Sequence, residues 1–326
     1  MTEEIAHNIY RIGVPLTGNP LKELNSYLIK GKDRDLLIDT GFRNPECFDV
    51  LTGELKKLGS DISRRNVLLT HMHSDHSGLA DLAAGAGRKI FISEKDRSYM
   101  QNFMTGRMRG WQEERYTKEG MPHDMVLDVF KTNPSRQQSM KSLDSRFTAL
   151  NEGDHIEAGG YRLEAIYAEG HTPGSMMFYI RDKGIMFTGD HVLFDITPNI
   201  TAWPYIDDSL GDYLGNLERV KKFSVETALP GHRKTGDYSS RIDTLLEHHK
   251  KRLDEALAIV ADGEGSCGYD IAGRMKWKIR ADSWETFPKI QKWFALGECL
   301  SHLDHLMKTG KIKRKSENGL WRYYTV

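Results

Sequence analysis

Residues 70–78 read Thr-His-Met-His-Ser-Asp-His-Ser-Gly, which puts three imidazoles and a carboxylate, His71, His73, Asp75 and His76, within six positions. Imidazole nitrogens and carboxylate oxygens are the donors that hold Zn²⁺ and related cations at ~2.0–2.2 Å, and the i, i+2 spacing of His71 and His73 points both to one side of an extended chain. Three later donors stand in turns: His171 in Gly170-His-Thr-Pro-Gly174, Asp190 in Thr188-Gly-Asp190, and His232 in Pro230-Gly-His232. A single histidine in a turn is more often solvated or hydrogen-bonded than metallated. Taken together, the five histidines and two carboxylates are the donor set that two adjacent metal ions require.

Such donors need strands that end at one place. Residues 66–70 form a short apolar run and residues 75–84 carry helix formers, so the first cluster occupies a strand-to-helix turn. Further strand-like runs fall at 25–29, 36–39, 89–93, 161–168, 175–180, 185–187 and 227–229. Helical patterns at 45–58 and 208–223 imply a layered α/β domain. Residues 94–148 break this rhythm. Met100, Met104 and Met108, with Phe103 and Trp111, suggest a helical insertion (about 97–148) whose stripe packs on the main domain or, alternatively, covers a pocket as a lid.

Beyond 240 the pattern changes to a long amphipathic helix over 241–260, with Ser266 as a candidate cap for the next. A further helix runs through Leu296, Leu300, Leu303 and Met307, and two strand-like arms flank Asn318-Gly319. The expected division is a catalytic domain at 1–240 and a winged-helix-like domain at 241–326.

The order Asp39-Thr-Gly41, His71-x-His73-x-Asp75-His76, His171, Asp190, His232 resembles the metallo-β-lactamase-fold hydrolase superfamily over roughly residues 5–235. The resemblance implies an α/β fold of the αββα sandwich type, with a metal site at one edge between two sheets. Carried over residue by residue, His71, His73 and His171 would hold one metal and Asp75, His76 and His232 a second, with Asp190 bridging. The cofactors implied are two divalent ions, with Zn²⁺ the first expectation and Fe or Mn as alternatives. A metal-bound hydroxide would be the nucleophile, with Asp75 and Asp190 as catalytic carboxylates. Asp39 would accept a hydrogen bond from a ligand imidazole, or else cap its turn. His191 should face away from the metals, and His123 is a candidate substrate contact.

Composition sets outer bounds. The 326 residues carry 46 Lys+Arg and 46 Asp+Glu, so no overall charge draws the chain to nucleic acid or an anionic membrane. From Lys250 onward 15 Lys+Arg face 10 Asp+Glu, a local excess of 15 − 10 = +5. The start lacks the pattern of a secretion signal and no apolar run is long enough to span a bilayer; a cytoplasmic location is expected. Cys47, Cys267 and Cys299 suggest neither a disulfide framework nor a metal knuckle.

The C-terminal region resembles the lactamase-β-like protein 2 group, which includes a single-strand RNA endonuclease. Against nucleic acid, Glu298 and Asp304 are expected at exposed positions of the helix before the hairpin. The preferred reading is therefore hydrolysis of a small-molecule ester, thioester or lactone, with a metal-dependent endoribonuclease as the alternative. The expected partners are a small-molecule substrate, no membrane and, as an option, a second copy of the chain.

Overall fold

The computed structural model describes residues 2–133, 138–278, 281 and 283–326. Part of the expected insertion, 134–137, lies outside them.

The first sheet opens with antiparallel β1 (Thr2–Ala6), β2 (Ile9–Leu16) and β3 (Lys22–Ile29) and continues through β4 (Asp35–Ile38), β5 (Arg65–Leu68), β6 (Ile90–Ser93) and β7 (Phe147–Leu150), in that spatial order. From β4 to β7 the pairing is parallel, which obliges each connection to cross over the sheet. Helix Pro45–Lys57 makes the first crossing. Asn44 caps it by accepting from the Cys47 N–H at 2.8 Å, Pro45 pre-sets its first turn, and Cys47, Leu51 and Leu55 form its buried stripe. The helix expected over 75–84 is two short ones, Ser74–Ser77 and Ala80–Ala83, interrupted at Gly78. A Cβ at Gly78 would lie 2.7 Å from both Arg43 N and Gly41 O, so a side chain there is excluded by backbone.

The second sheet contains β8 (His155–Ala158), β9 (Tyr161–Tyr167), β10 (Met176–Ile180), β11 (Ile185–Gly189) and β12 (Thr227–Pro230), ordered β12-β11-β10-β9-β8. The two sheets share one core. Ile9, Tyr27, Ile29, Leu36, Ile38 and Leu68 meet Leu163, Met176, Phe178, Ile180, Phe187 and Leu229, and Tyr27 sets its ring edge-on to Phe187 with centroids 5.3 Å apart. This is the αββα sandwich.

By internal packing the chain divides into two units: Met1–Met104, Pro134–Pro198 and Asn216–Ile242 form one, and Thr105–Asn133, Asn199–Gly215 and Asp243–Val326 the other. Much of the expected insertion thus packs with the C-terminal helices. Gly106 at φ +79 ends the helix Glu94–Met104 before Arg107–Lys118 begins, so Met100, Met104 and Met108 do not form one continuous stripe. The insertion as drawn also runs into sheet, since β7 begins at Phe147.

In the second unit, helices Arg107–Lys118, His123–Thr132, Gly268–Arg274 and Lys289–Lys308 surround a core in which Tyr116 stacks on Trp293 at 3.9 Å. Leu296, Leu300 and Leu303 are fully buried there, so that stripe is used within the unit. Ser266 is not a helix cap. Its backbone pairs with Tyr323, and Cys267 takes the cap position. The hairpin β13 (Ile312–Glu317) and β14 (Leu320–Thr325) turns on Asn318 and Gly319, both at positive φ, as a two-residue I′ turn requires.

Glu298 and Asp304 are turned inward, contrary to the exposed placement expected. Glu298 faces Arg252 and accepts from Asn199, while Asp304 accepts from Arg115 at 2.8 Å. Buried Glu119 lies beside Arg115 and accepts from the Tyr323 hydroxyl at 2.8 Å. Burial pushes the Glu119 carboxyl up to about 7, although Arg115 and Tyr323 both pull it down.

Candidate metal centre

Strand ends build this site, and every residue in it belongs to the first unit. After β5 the chain leaves the sheet at Leu69 and Thr70, so His71, Met72 and His73 sit at the strand-end edge of the sandwich, His71 and Met72 buried, and Asp75 and His76 on the first helical turn beyond it. His171 follows β9, Asp190 follows β11 and His232 follows β12. Because β12 runs parallel to β11, with Gly189 beside Pro230, Asp190 and His232 emerge at the same edge.

Seven sequence-nominated donors come together: His71, His73 and His171 form one group, Asp75, His76 and His232 another, and His71, His76 and Asp190 a third that joins them, with donor atoms within 4.8 Å of one another in each. His71 Nε2 lies 3.1 Å from His73 Nδ1, and His76 Nε2 lies 3.2 Å from His232 Nε2. Ligand bonds of ~2.0–2.1 Å in a tetrahedron set neighbouring nitrogens roughly 3.3 Å apart, so the spacing suits a cation. Asp190 sits between the groups, with Oδ1 3.5 Å from His76 Nε2 and Oδ2 3.7 and 3.5 Å from His171 and His232. Its Oδ1 is buried and makes no hydrogen bond. An ionised oxygen in that state calls for a cation.

Partners behind the rings decide which nitrogen faces inward. His76 donates Nδ1–H to Asp39 Oδ2 at 2.7 Å, and His232 donates Nδ1–H to the Glu23 carbonyl at 2.8 Å. The Thr70 hydroxyl donates to Asp39 Oδ2 at 2.7 Å and can accept from His71 Nδ1 at 3.1 Å. Each bond leaves Nε2 as the free lone pair. Asp39 holds this post in a left-handed backbone conformation, φ +58, that few non-glycine residues adopt.

Electrostatics divides the histidines. Burial, reinforced by neighbouring imidazoles, keeps His71 well below its ordinary range and His73 down at about 3, so both rings are neutral donors near pH 7. Burial opposes charge on His76 and His232 as well. There the carboxylates win: Asp190, Asp39 and Asp75 raise His76, and Asp190 and Asp75 raise His232 to about 10. Asp75 in turn is held at about 2 by His76 and His232 despite its burial.

His191 is buried and belongs to none of the three donor groups. His123 pairs with Glu113 at 2.8 Å in the second unit. Sequence reasoning overlooked Thr70, the Glu23 carbonyl and Asp96. Thr70 was detectable as a hydroxyl beside the first histidine; a backbone carbonyl leaves no signal in the sequence.

A family model described as "Metallo-beta-lactamase superfamily" matches residues 22–232, and one described as "Metallo-beta-lactamase-like, C-terminal domain" matches 286–326. A "Beta-lactamase-like protein 2 homolog" of Caenorhabditis elegans is 22% identical over 266 residues, 80% of this chain and 74% of the relative. An "Atrochrysone carboxyl ACP thioesterase" of Aspergillus novofumigatus is 25% identical over 274 residues, covering 82% of this chain and 67% of the relative. A metallo-beta-lactamase family protein of Thermus thermophilus superposes with a TM-score of 0.83 at 25% identity, over 99% of this chain and all of the other.

Proposed function

The chain belongs to the metallo-β-lactamase superfamily and is a metal-dependent hydrolase; from that premise we propose a two-ion enzyme that cleaves a small-molecule ester, thioester or lactone. The observation that carries the two-ion reading is Asp190, lying between two donor groups with a buried carboxylate oxygen that makes no hydrogen bond. His71, His73 and His171 would hold one cation and Asp75, His76 and His232 the other, with Asp190 shared. Zinc suits a set with five imidazoles. Two divalent cations held there would activate water as a nucleophile and polarise the substrate's carbonyl oxygen.

The chain's own residues supply the rest. Asp75 and Asp190 are held below the ordinary carboxylate range, so at neutral pH they stay ionised and orient water by accepting its hydrogen bonds. Asp39, Thr70 and the Glu23 carbonyl keep the imidazole protons on the outer nitrogens. Thiol catalysis is a poor competitor: all three cysteines are buried, and burial pushes Cys267 up to about 11 and raises Cys47 and Cys299 as well. Unbridged thiols also suit a reducing compartment, which supports a cytoplasmic location. Among the described residues no helix is long and apolar enough to cross a membrane.

The named thioesterase relative favours the thioester within this substrate class. One observation supports a second reading, a single-strand endoribonuclease: Lys313 and Lys315 are exposed on the same face of the hairpin as Arg322. Metal-replete protein assayed against acyl thioesters, carboxyl esters, lactones and single-stranded RNA, beside an Asp190→Ala control, separates the two. Turnover of an acyl compound that the control lacks supports the first reading; cleavage of RNA alone replaces it with the second.

A further inference from the structure

Asp96 stands in the first turn of helix Glu94–Met104, where the Ser93 hydroxyl fixes the helix start by accepting its N–H at 3.1 Å. Its side chain is fully buried and reaches two loops at once. Oδ2 accepts from the Met72 N–H at 2.8 Å and from the Thr172 hydroxyl at 2.7 Å, while Oδ1 accepts from the Gly174 N–H at 2.7 Å. Met72 lies between His71 and His73, and Thr172 follows His171. The carboxylate therefore ties together the backbones of the two loops that contribute the three-histidine group, without touching a ring.

The surroundings are fitted to that contact. A Cβ at Gly174 would overlap the Ser93 hydroxyl and the Asp96 N–H, so only glycine lets the second loop come this close. Ser175 adds hydroxyl contacts to Thr172 at 2.7 Å and to its N–H at 3.1 Å, and Lys95 pairs with Glu169 at the loop's other end. On the far side of Met72, its carbonyl accepts from the Ser77 hydroxyl at 2.9 Å.

We propose that Asp96 is a positioning residue for the three-histidine site: its carboxylate sets the His71–His73 loop against the His171–Gly174 loop so that the three imidazoles converge on one cation. This rests on the two-ion reading above. An amide at position 96 keeps the shape but replaces one acceptor oxygen with an N–H donor, facing a backbone N–H or the Thr172 hydroxyl. The loops then separate, and one ion is held less well.

The test is titration of chelator-stripped full-length protein with Co²⁺ and Zn²⁺, comparing the native chain with Asp96→Asn and Thr172→Val, alongside thermal unfolding. Native protein should take up two ions. In Asp96→Asn one binding step should weaken by roughly 10–100-fold and its cobalt absorption bands should shift, while the other step moves far less. Thr172→Val removes a single bond to the carboxylate and should change the same step by a smaller factor. If Asp96→Asn fails to fold, Thr172→Val decides alone. Native-like binding and spectra in the folded variants, with only a lowered Tm, would reduce Asp96 to a structural residue and overturn the proposal. Native protein that binds no ion would instead refute the metal centre itself.

Discussion

His76 Nε2 and His232 Nε2 face each other at 3.2 Å, although 156 residues separate them in the chain. When each neutral ring gives its Nδ1 proton to the acceptor behind it, two lone pairs confront one another across this gap. A shared electrophile resolves that conflict. In metal-free protein the carboxylates Asp190 and Asp75 beside both rings, with Asp39 behind His76, raise their affinity for protons against the mutual repulsion; a divalent cation serves better.

Two equivalents of a divalent metal per chain are therefore expected by elemental analysis of reconstituted protein. Asp190→Ala should release at least one equivalent and lower hydrolysis by more than about 100-fold, because it removes the donor between the groups. Chelation should abolish activity and added metal restore it. Replacing all three buried cysteines should leave turnover in place.

Gly231→Ala should behave as a metal-site mutation although it removes no ligand. A methyl group there would overlap Asp190 Oδ1 and come within 2.8 Å of the His76 ring. The carboxylate would have to turn away. Metal content should fall while the far-ultraviolet circular dichroism stays native; unchanged metal content would show that the loop after β12 can yield.

Glu119 gives the second unit a pH dependence of known sign. Its folded-state value of about 7 stands above the ordinary 4.5, so the folded form holds this proton more tightly than the unfolded chain does. That contribution to stability is present below pH 4.5 and is lost as pH rises toward and through 7. Its size is on the order of 3 kcal/mol. Thermal unfolding of Glu119→Gln should be less sensitive to pH between 5 and 8 than that of the native chain. Parallel profiles would mean that Arg115 keeps the carboxylate ionised in the fold.

The hairpin distinguishes the two functional readings. Arg314 lies over the Trp321 ring at 3.7 Å, on the face opposite Lys313 and Lys315, so it is a poor phosphate ligand. Changing Lys313, Lys315 and Arg322 to alanine should leave hydrolysis of an acyl substrate within about twofold. If the chain is a nuclease, the same change should weaken RNA binding and flatten its salt dependence by ~0.7 for each phosphate no longer neutralised.

The cluster of candidate donors was legible in the sequence because they follow short apolar runs, and the strand period is easy to read where Leu, Ile and Val dominate without interruption. Asp96 was not. A carboxylate in the first turn of a helix has an ordinary explanation in the helix dipole, and only the fold brings Met72 and Gly174 to it. β1, β2, β7 and β8 escaped notice: polar residues outnumber the apolar ones or equal them in β1 and β8, Arg11, Gly13 and Pro15 interrupt β2, and β7 overlaps the expected insertion. The inward placement of Glu298 and Asp304 depended on Arg252 and Arg115, whose positions local periodicity cannot supply.

The segment from His71 to His76 carries four of the seven proposed metal donors within six residues, whereas the candidate site is completed only when β9, β11 and β12 have paired. An unfolded or newly made chain can thus capture an ion through this segment alone, well before the remaining donors arrive. Metal that also binds the unfolded state stabilises the fold by less than the affinity of the finished site suggests. Refolding in excess metal should accordingly run more slowly than refolding in chelator followed by metal, because ions held early must exchange donors as the long-range contacts form.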